Sequence, residues 1–219
     1  MLQKSTIHFL RALKKNNNKD WFEKNRAVYD AAKKDYLAFV TKVLDSLQLI
    51  DPSLEALQPK QCIFRINRDV RFSKNKDPYK TNFGASFSKG GKKIETAGYY
   101  FHLEPGANFI GGGLWMPIAP DLHKVRQEID YCFKEFRSIL TKPTFKSRFG
   151  DMESTEKLVR PPKGYEADNP AIEYLKLKSF VVTAPMTDTI LEDSQLVKKV
   201  IADFKIIMPL VHFLNKAID

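Results

Sequence analysis

The chain of 219 residues is 43 % hydrophobic, 28 % charged and 12 % aromatic, which excludes a disordered, low-complexity or collagen-like polypeptide. It has no secretion-signal pattern and no run of about 18 apolar residues. A cytoplasmic protein with no membrane partner is therefore expected. A formal net charge of +10 favours acidic partners such as nucleic acid or phosphorylated metabolites, and Cys62 and Cys132 match neither a disulfide framework nor a metal-ligand spacing.

In chain order, Ser5 or Thr6 is expected to cap a helix carrying Phe9, Leu10 and Leu13, broken by Asn16, Asn17 and Asn18. Asp20 and Glu23 then form a capping-box pair for a long amphipathic helix whose stripe runs through Trp21, Phe22, Tyr29, Ala32, Tyr36, Phe39, Val43 and Leu47. After Asp51-Pro52 the period changes to alternation. Cys62, Phe64, Ile66, Val70 and Phe72 are predicted on one face of a strand, opposite Arg65, Asn67, Asp69 and Arg71, with Arg68 as an intruder that invites a bulge. Three further strands follow, in GASFSK, GYYFHLEP and NFIGGGLWMP, joined at Gly90-Gly91 and Pro105-Gly106.

Helical spacing returns from Pro120 to Leu140, along Leu122, Val125, Ile129, Cys132 and Phe136. A loop-rich section leads to Pro170, which suits the first turn of a helix through Lys178, and SFVVTAP reads as another strand. The last helix is expected from about Asp193, with Pro209 interrupting it and starting a short final one. With neither repeat nor linker, the pattern predicts one α+β domain over residues 1–219: an antiparallel, at most mixed, central sheet with the N- and C-terminal helices packed on one face.

The charge is local. Between Lys60 and Lys93, ten Lys or Arg face Asp69 and Asp77, so 34 residues hold +8 of the total. Arginine offers a planar fork of donors that fits carboxylate or phosphate, and lysine a mobile point charge. Arg65 and Arg71 can share a small anion only if the chain bends near Asn67 to Asp69, and Asp77-Pro78 can turn Tyr79 and Lys80 back toward the sheet. The alternative is ordinary ion pairing of Arg65 and Arg71 with Asp69, Glu95 or Glu104.

Gly111, Gly112 and Gly113 inside a strand pattern imply a bulge or a close backbone approach. On the alternating face, Gly111 and Gly113 leave a floor without side chains between Phe109 and Trp115, beside Tyr100 and His102.

Four segments, NNNKDWFEKNR, FRINRDVRFSKNKDPYKTNF, GYYFHLEPGANFIGGGLW and RPPKGYEADNPAIEYLKLKSF, together resemble the bacterial family known as domain of unknown function 2461. The resemblance runs from Ser5 to the C-terminal helix. It implies a cytoplasmic α+β protein without an established activity, so no catalytic residues carry over. Where that family's loop is expected to read PKGYDxDHP, this chain has Glu166 and Asn169.

No metal or cofactor motif is present. HExxH, GxSxG and GxGxxG are lacking, and His8, His123 and His212 fall on separate helices. If chemistry occurs, His102 is the expected general acid or base, oriented by Asp69 or Glu104, with Arg65 or Arg71 stabilising negative charge. Arg65, Arg68, Arg71, Lys76, Tyr79, Lys80, Tyr100, Gly111, Gly113 and Trp115 are the candidate ligand contacts. The favoured function is binding of a small phosphorylated or carboxylate ligand in a basic cleft on the polar sheet face. The alternatives are single-stranded nucleic-acid binding through residues 60–93, with Tyr79, Tyr100 or Trp115 stacking on bases, and a scaffold for an acidic protein.

Overall fold

Four alternating segments form one antiparallel sheet, β1 (Phe83–Phe87), β2 (Gly98–Leu103), β3 (Phe109–Leu114) and β4 (Phe180–Pro185), in the order β1-β2-β3-β4. The computed structural model describes residues 1–93 and 96–218. Register places Ala85, Phe101, Ile110 and Ala184 in one cross-strand row and Phe87, Tyr99, Gly112 and Val182 in the next. Every side chain in these rows is buried, because period-2 alternation sends them all to one face.

That face is covered by helices from both ends of the chain, α1 (Lys4–Lys15), α3 (Arg26–Gln48) and α9 (Leu196–Ile218). The α9 ring of Phe204 lies 5.7 Å from Phe87 and 5.0 Å from Tyr99, a fully buried aromatic whose burial stabilises by roughly 1.5–3 kcal/mol. Gly112 faces this side, where Ile207 of α9 occupies the space that a Cβ would need. Outside this layer, α5 (Ala119–Tyr131), α6 (Phe133–Thr141) and α7 (Pro143–Phe149) pack against α9. The short helices α2 (Lys19–Lys24), α4 (Pro59–Cys62) and α8 (Ile172–Leu175) complete the described α-helices. The result is an α+β fold with its terminal helices on one face of the sheet.

Several boundaries differ from the sequence expectation. The helix predicted to start at Asp20 is two helices, capped by Asn18, whose Oδ1 accepts the Trp21 N–H at 2.9 Å, and broken at Asn25. There the amide turns back on its own helix, Nδ2 donating to the Trp21 carbonyl at 2.8 Å, a local bond that competes with helix continuation. Cys132 likewise divides α5 from α6. Pro209 neither stops α9 nor starts a new helix. It and Lys205, whose carbonyl loses its helical donor, both lie on the exposed side, where water can satisfy the freed acceptor.

The largest correction concerns residues 63–82, which form no strand. They touch the sheet through an isolated bridge, Ile63 to Ala85, and fold on themselves through another, Asn67 to Tyr79. Arg68, the intruder in the alternation, donates to the Asp77 carbonyl and to Ser73 Oγ, both at 3.3 Å. These bonds curl the segment into a loop, and Phe72, predicted to face inward, is 96 % exposed.

Candidate functional site

The uncovered face of the sheet carries the second set of rows: Gly84, His102 and Phe109; Ser86, Tyr100, Gly111 and Thr183; Gly98, Gly113 and Val181. Small residues alternate with aromatic ones, so the surface is a trough. A cleft of about 570 Å³ lies on it, floored by Gly98, Gly111 and Gly113 and walled by Phe64, Tyr100, Phe109 and Trp115. Gly113 has φ +121°, and a Cβ there would stand 2.0 Å from the Phe180 carbonyl oxygen, so no other residue keeps this floor flat. Beyond it, β3 ends after Leu114, and Met116, at φ 45°, is held by its N–H bond to Ser179 Oγ at 2.9 Å.

The polar groups gather at two ends. At one, Lys80 Nζ sits 5.4 Å from the centre of the Phe64 ring, and Asn82 also lines the wall. Burial, with Arg65 nearby, lowers the Lys80 pKa. At the other, Glu153 accepts a hydrogen bond from Thr183 Oγ1 and is anchored by its own N–H to the Val181 carbonyl at 3.0 Å. Lys80 and Glu153 are the cation and the anion of the lining; the rest is apolar or neutral.

Along the wall, β2 presents Tyr100 and His102 at alternate positions, and Glu104 follows one residue past its end. His102 Nε2 lies 3.3 Å from Glu104 Oε2, and its Nδ1 lies 3.1 Å from Tyr100 Oη and 3.5 Å from Asn82 Nδ2. The ring stacks on Phe109 with centroids 4.5 Å apart. Burial lowers the His102 pKa despite Glu104, so the imidazole is neutral near pH 7. A carboxylate can only accept, so Nε2 carries the hydrogen and the Nδ1 lone pair receives the Tyr100 hydroxyl. Burial tends to raise the Glu104 pKa, but Thr81, His102 and Lys14 bond to its carboxylate and hold it below the usual glutamate range. Burial pushes the Tyr100 phenol up to about 12. The Tyr100 hydroxyl fits because position 84 is glycine: a Cβ there would stand 2.5 Å from Tyr100 Oη.

Of the sequence-derived candidates, Lys80, Tyr100, Gly111, Gly113 and Trp115 line this one cleft, and His102 and Glu104 stand behind it. The others lie elsewhere. Tyr79 is 6 % exposed and stacks on Phe22 at 3.9 Å, with its backbone pinned by Asn17; it is a core residue. Asp69 does not orient His102. Its carboxylate takes both Nε and Nη2 of Arg71, at 3.0 and 2.7 Å, an exposed pair within the loop. Arg68 and Lys76 brace the same loop, Lys76 Nζ donating to the Val70 carbonyl at 3.0 Å. Arg65 is exposed beside the cleft, near enough to Asp69 and Lys80 to influence both. The ion-pair alternative is thus met for Arg71 with Asp69, while Glu104 pairs with Lys14 at 3.3 Å and Glu95 lies outside the described residues.

Phe64, Asn82, Ser86, Glu153 and Thr183 were not singled out from the sequence. Ser86 shared the alternating face with Tyr100 and Gly111, a signal that pattern alone could have used. Glu153 had none, because it reaches the cleft from a loop distant in sequence.

A second, more open cleft of about 670 Å³ lies between α5 and residues 163–165. There Lys124 and Lys163 face Glu128 and Asp130. Asn169, at the place where the related loop was expected to carry histidine, bonds Asp130 and the Ala171 N–H, a structural use of that position.

Among the described residues no helix is long and apolar enough to cross a membrane. Neither a curated protein nor a solved structure matches the chain. A family model does match residues 5–213, and the chain therefore belongs to the family described as conserved hypothetical protein (DUF2461).

Proposed function

We propose that this protein binds a small, flat ligand bearing a carboxylate or phosphate in the glycine-floored cleft. The observation that carries the proposal is the juxtaposition of a side-chain-free floor, four aromatic walls and one buried-edge cation, Lys80, at a single end. A planar apolar body would lie on Gly111 and Gly113 between Phe109 and Trp115. Its anionic group would meet Lys80, whose ammonium is partly desolvated and so attracts more strongly than one in water. Arg65 adds positive potential at the rim.

The test is a thermal-shift screen of aromatic and aliphatic carboxylates and phosphates against the wild type, Lys80→Met and Trp115→Ala. Trp115 is 49 % exposed, so its loss leaves the fold intact. A ligand at 100 times its Kd stabilises by about 2.7 kcal/mol, or roughly 5–10 °C for a domain of this size. Both variants should lose most of that shift. Stabilisation that is indifferent to both substitutions would place the ligand elsewhere.

A second function is favoured by a separate observation. Phe72 stands 96 % exposed on the loop that carries Arg71, Lys74 and Lys76, with the Arg71 guanidinium 5.8 Å from its ring centre. An exposed aromatic among cations suits a base stacked between phosphates of single-stranded nucleic acid. In this arrangement Phe72 takes the stacking role expected of Tyr79. Binding of an oligonucleotide should weaken steeply with salt and fall further in Phe72→Ala; affinity that barely responds to either removes this function.

A further inference from the structure

We infer that Tyr100 is a proton-transfer residue of the cleft, with His102 and Glu104 positioned behind it as its proton acceptor and that acceptor's orienting carboxylate. This rests on the proposal that the cleft holds a ligand. Its substrate class is an anionic molecule with a weakly acidic hydroxyl near the anionic group, so that Lys80 holds the charge while the hydroxyl reaches Tyr100 Oη.

Three independent features converge on this line of atoms. Tyr100 and His102 occupy alternate positions of β2 and Glu104 the next alternate position just past its end, so the period of the strand aligns them on one face. The contacts run in sequence, Tyr100 Oη to His102 Nδ1 at 3.1 Å and His102 Nε2 to Glu104 Oε2 at 3.3 Å, and Glu104 is fixed in turn by Thr81 Oγ1 at 2.9 Å and Lys14 Nζ at 3.3 Å. The surroundings are built for it, with Gly84 leaving room for the hydroxyl and Phe109 stacked on the imidazole. Of the three side chains, Tyr100 lines the cleft. The order is that of a base held by a carboxylate and acting on a hydroxyl, with tyrosine where a nucleophilic serine would more often stand.

In the step proposed, the Tyr100 hydroxyl proton moves to His102 Nδ1, and the imidazolium so formed is stabilised by the Glu104 carboxylate. Oη then takes the proton of the ligand hydroxyl, leaving an alkoxide beside Lys80. The proton count balances, and nothing is oxidised or reduced. At rest the phenol stays neutral because its surroundings are dry, so ionisation depends on His102 and not on bulk solvent.

Phenylmethanesulfonyl fluoride tests this without knowledge of the natural ligand. Tyr100 Oη would attack sulfur as the O–S bond forms, the S–F bond breaks with fluoride leaving, and the phenol proton passes to His102. Labelling of each tyrosine is followed by peptide mass spectrometry, with the 90 % exposed Tyr131 as internal reference. General-base assistance of the usual size predicts Tyr100 labelled about 100-fold faster than Tyr131. In His102→Gln and Glu104→Gln that advantage should shrink while the Tyr131 rate stays constant, and buried Tyr99 should remain unlabelled, which reports that each variant is folded. Tyr100 labelled no faster than Tyr131, or equally fast in whichever of the two variants keeps Tyr99 protected, overturns the inference. The two proposals fail separately: the absence of any thermal shift sensitive to Lys80 or Trp115 overturns the binding proposal, whereas slow labelling of Tyr100 in a protein that still shows that shift overturns this inference alone.

Discussion

Replacing Gly113 by alanine puts the floor of the cleft to a quantitative test. Two separate costs arise. At φ +121° an L side chain is strained by about 1–3 kcal/mol. In addition, the new Cβ would stand 2.0 Å from the Phe180 carbonyl oxygen and 2.9 Å from Val181 Cα, so the β3 to β4 ladder must shift, at a further cost of about 1–3 kcal/mol. The expected total is about 4 kcal/mol, a large part of an ordinary domain's stability. Gly106→Ala supplies the control, because it has φ +85° but no atom within 4 Å of the added Cβ, so only conformational strain of about 1–2 kcal/mol applies. In equilibrium urea unfolding, with a slope of about 2.5 kcal/mol/M, the midpoints should fall by about 1.6 M and about 0.6 M. If the two variants unfolded within about 0.2 M of one another, the steric account of the floor would be wrong.

Other outcomes follow from buried polar groups. The carboxylate of Asp51 joins three elements, accepting from Tyr99 Oη at 2.7 Å and Ser53 Oγ at 2.6 Å, with His212 Nε2 at 3.4 Å. Burial tends to raise its pKa, but the bonds from Ser53 and Tyr99 outweigh burial and hold it below the ordinary 3.8. Its contribution is therefore present above the unfolded value and is lost as pH falls through the lower folded one. Asp51→Asn should cost about 1.5–3 kcal/mol at pH 7, with the gap to wild type narrowing below about pH 4; a gap constant from pH 7 to acid would contradict this. Asn215→Ala removes two buried bonds that clasp Ala97, to its N–H at 2.8 Å and its carbonyl at 3.1 Å. A loss of about 2–4 kcal/mol by the same assay is expected. Cys62 is fully buried and burial pushes its thiol up to about 12, so Ellman's reagent should reach it only on unfolding; reaction in the native state at the rate of a small free thiol would refute its burial. Phe72→Ala should leave the unfolding free energy from urea unchanged within about 0.5 kcal/mol, whatever it does to oligonucleotide binding.

Legibility differed by the kind of signal. Where alternation ran through small and aromatic residues, as in GYYFHL and FIGGGL, the pattern was enough to place Tyr100 and His102 on one face with Gly111 and Gly113, since period-2 geometry leaves a strand no other choice. It also determined the α+β class and the burial of α1, α3 and α9, because each apolar stripe must find a partner. Only tertiary structure decided the fate of residues 63–82. There the alternation of Val70, Arg71 and Phe72 satisfied the strand pattern, but Arg68 found its acceptors in Asp77 and Ser73, nine and five residues ahead, and the backbone followed those bonds away from β1. The same holds for the site. Charge counting located a cationic segment, yet most of its cations face solvent or brace their own loop, and the cleft drew Glu153 and Thr183 from elsewhere in the chain. Local sequence records which way a strand's side chains point; which segments meet across the resulting surface depends on packing and hydrogen bonding between residues far apart in the chain.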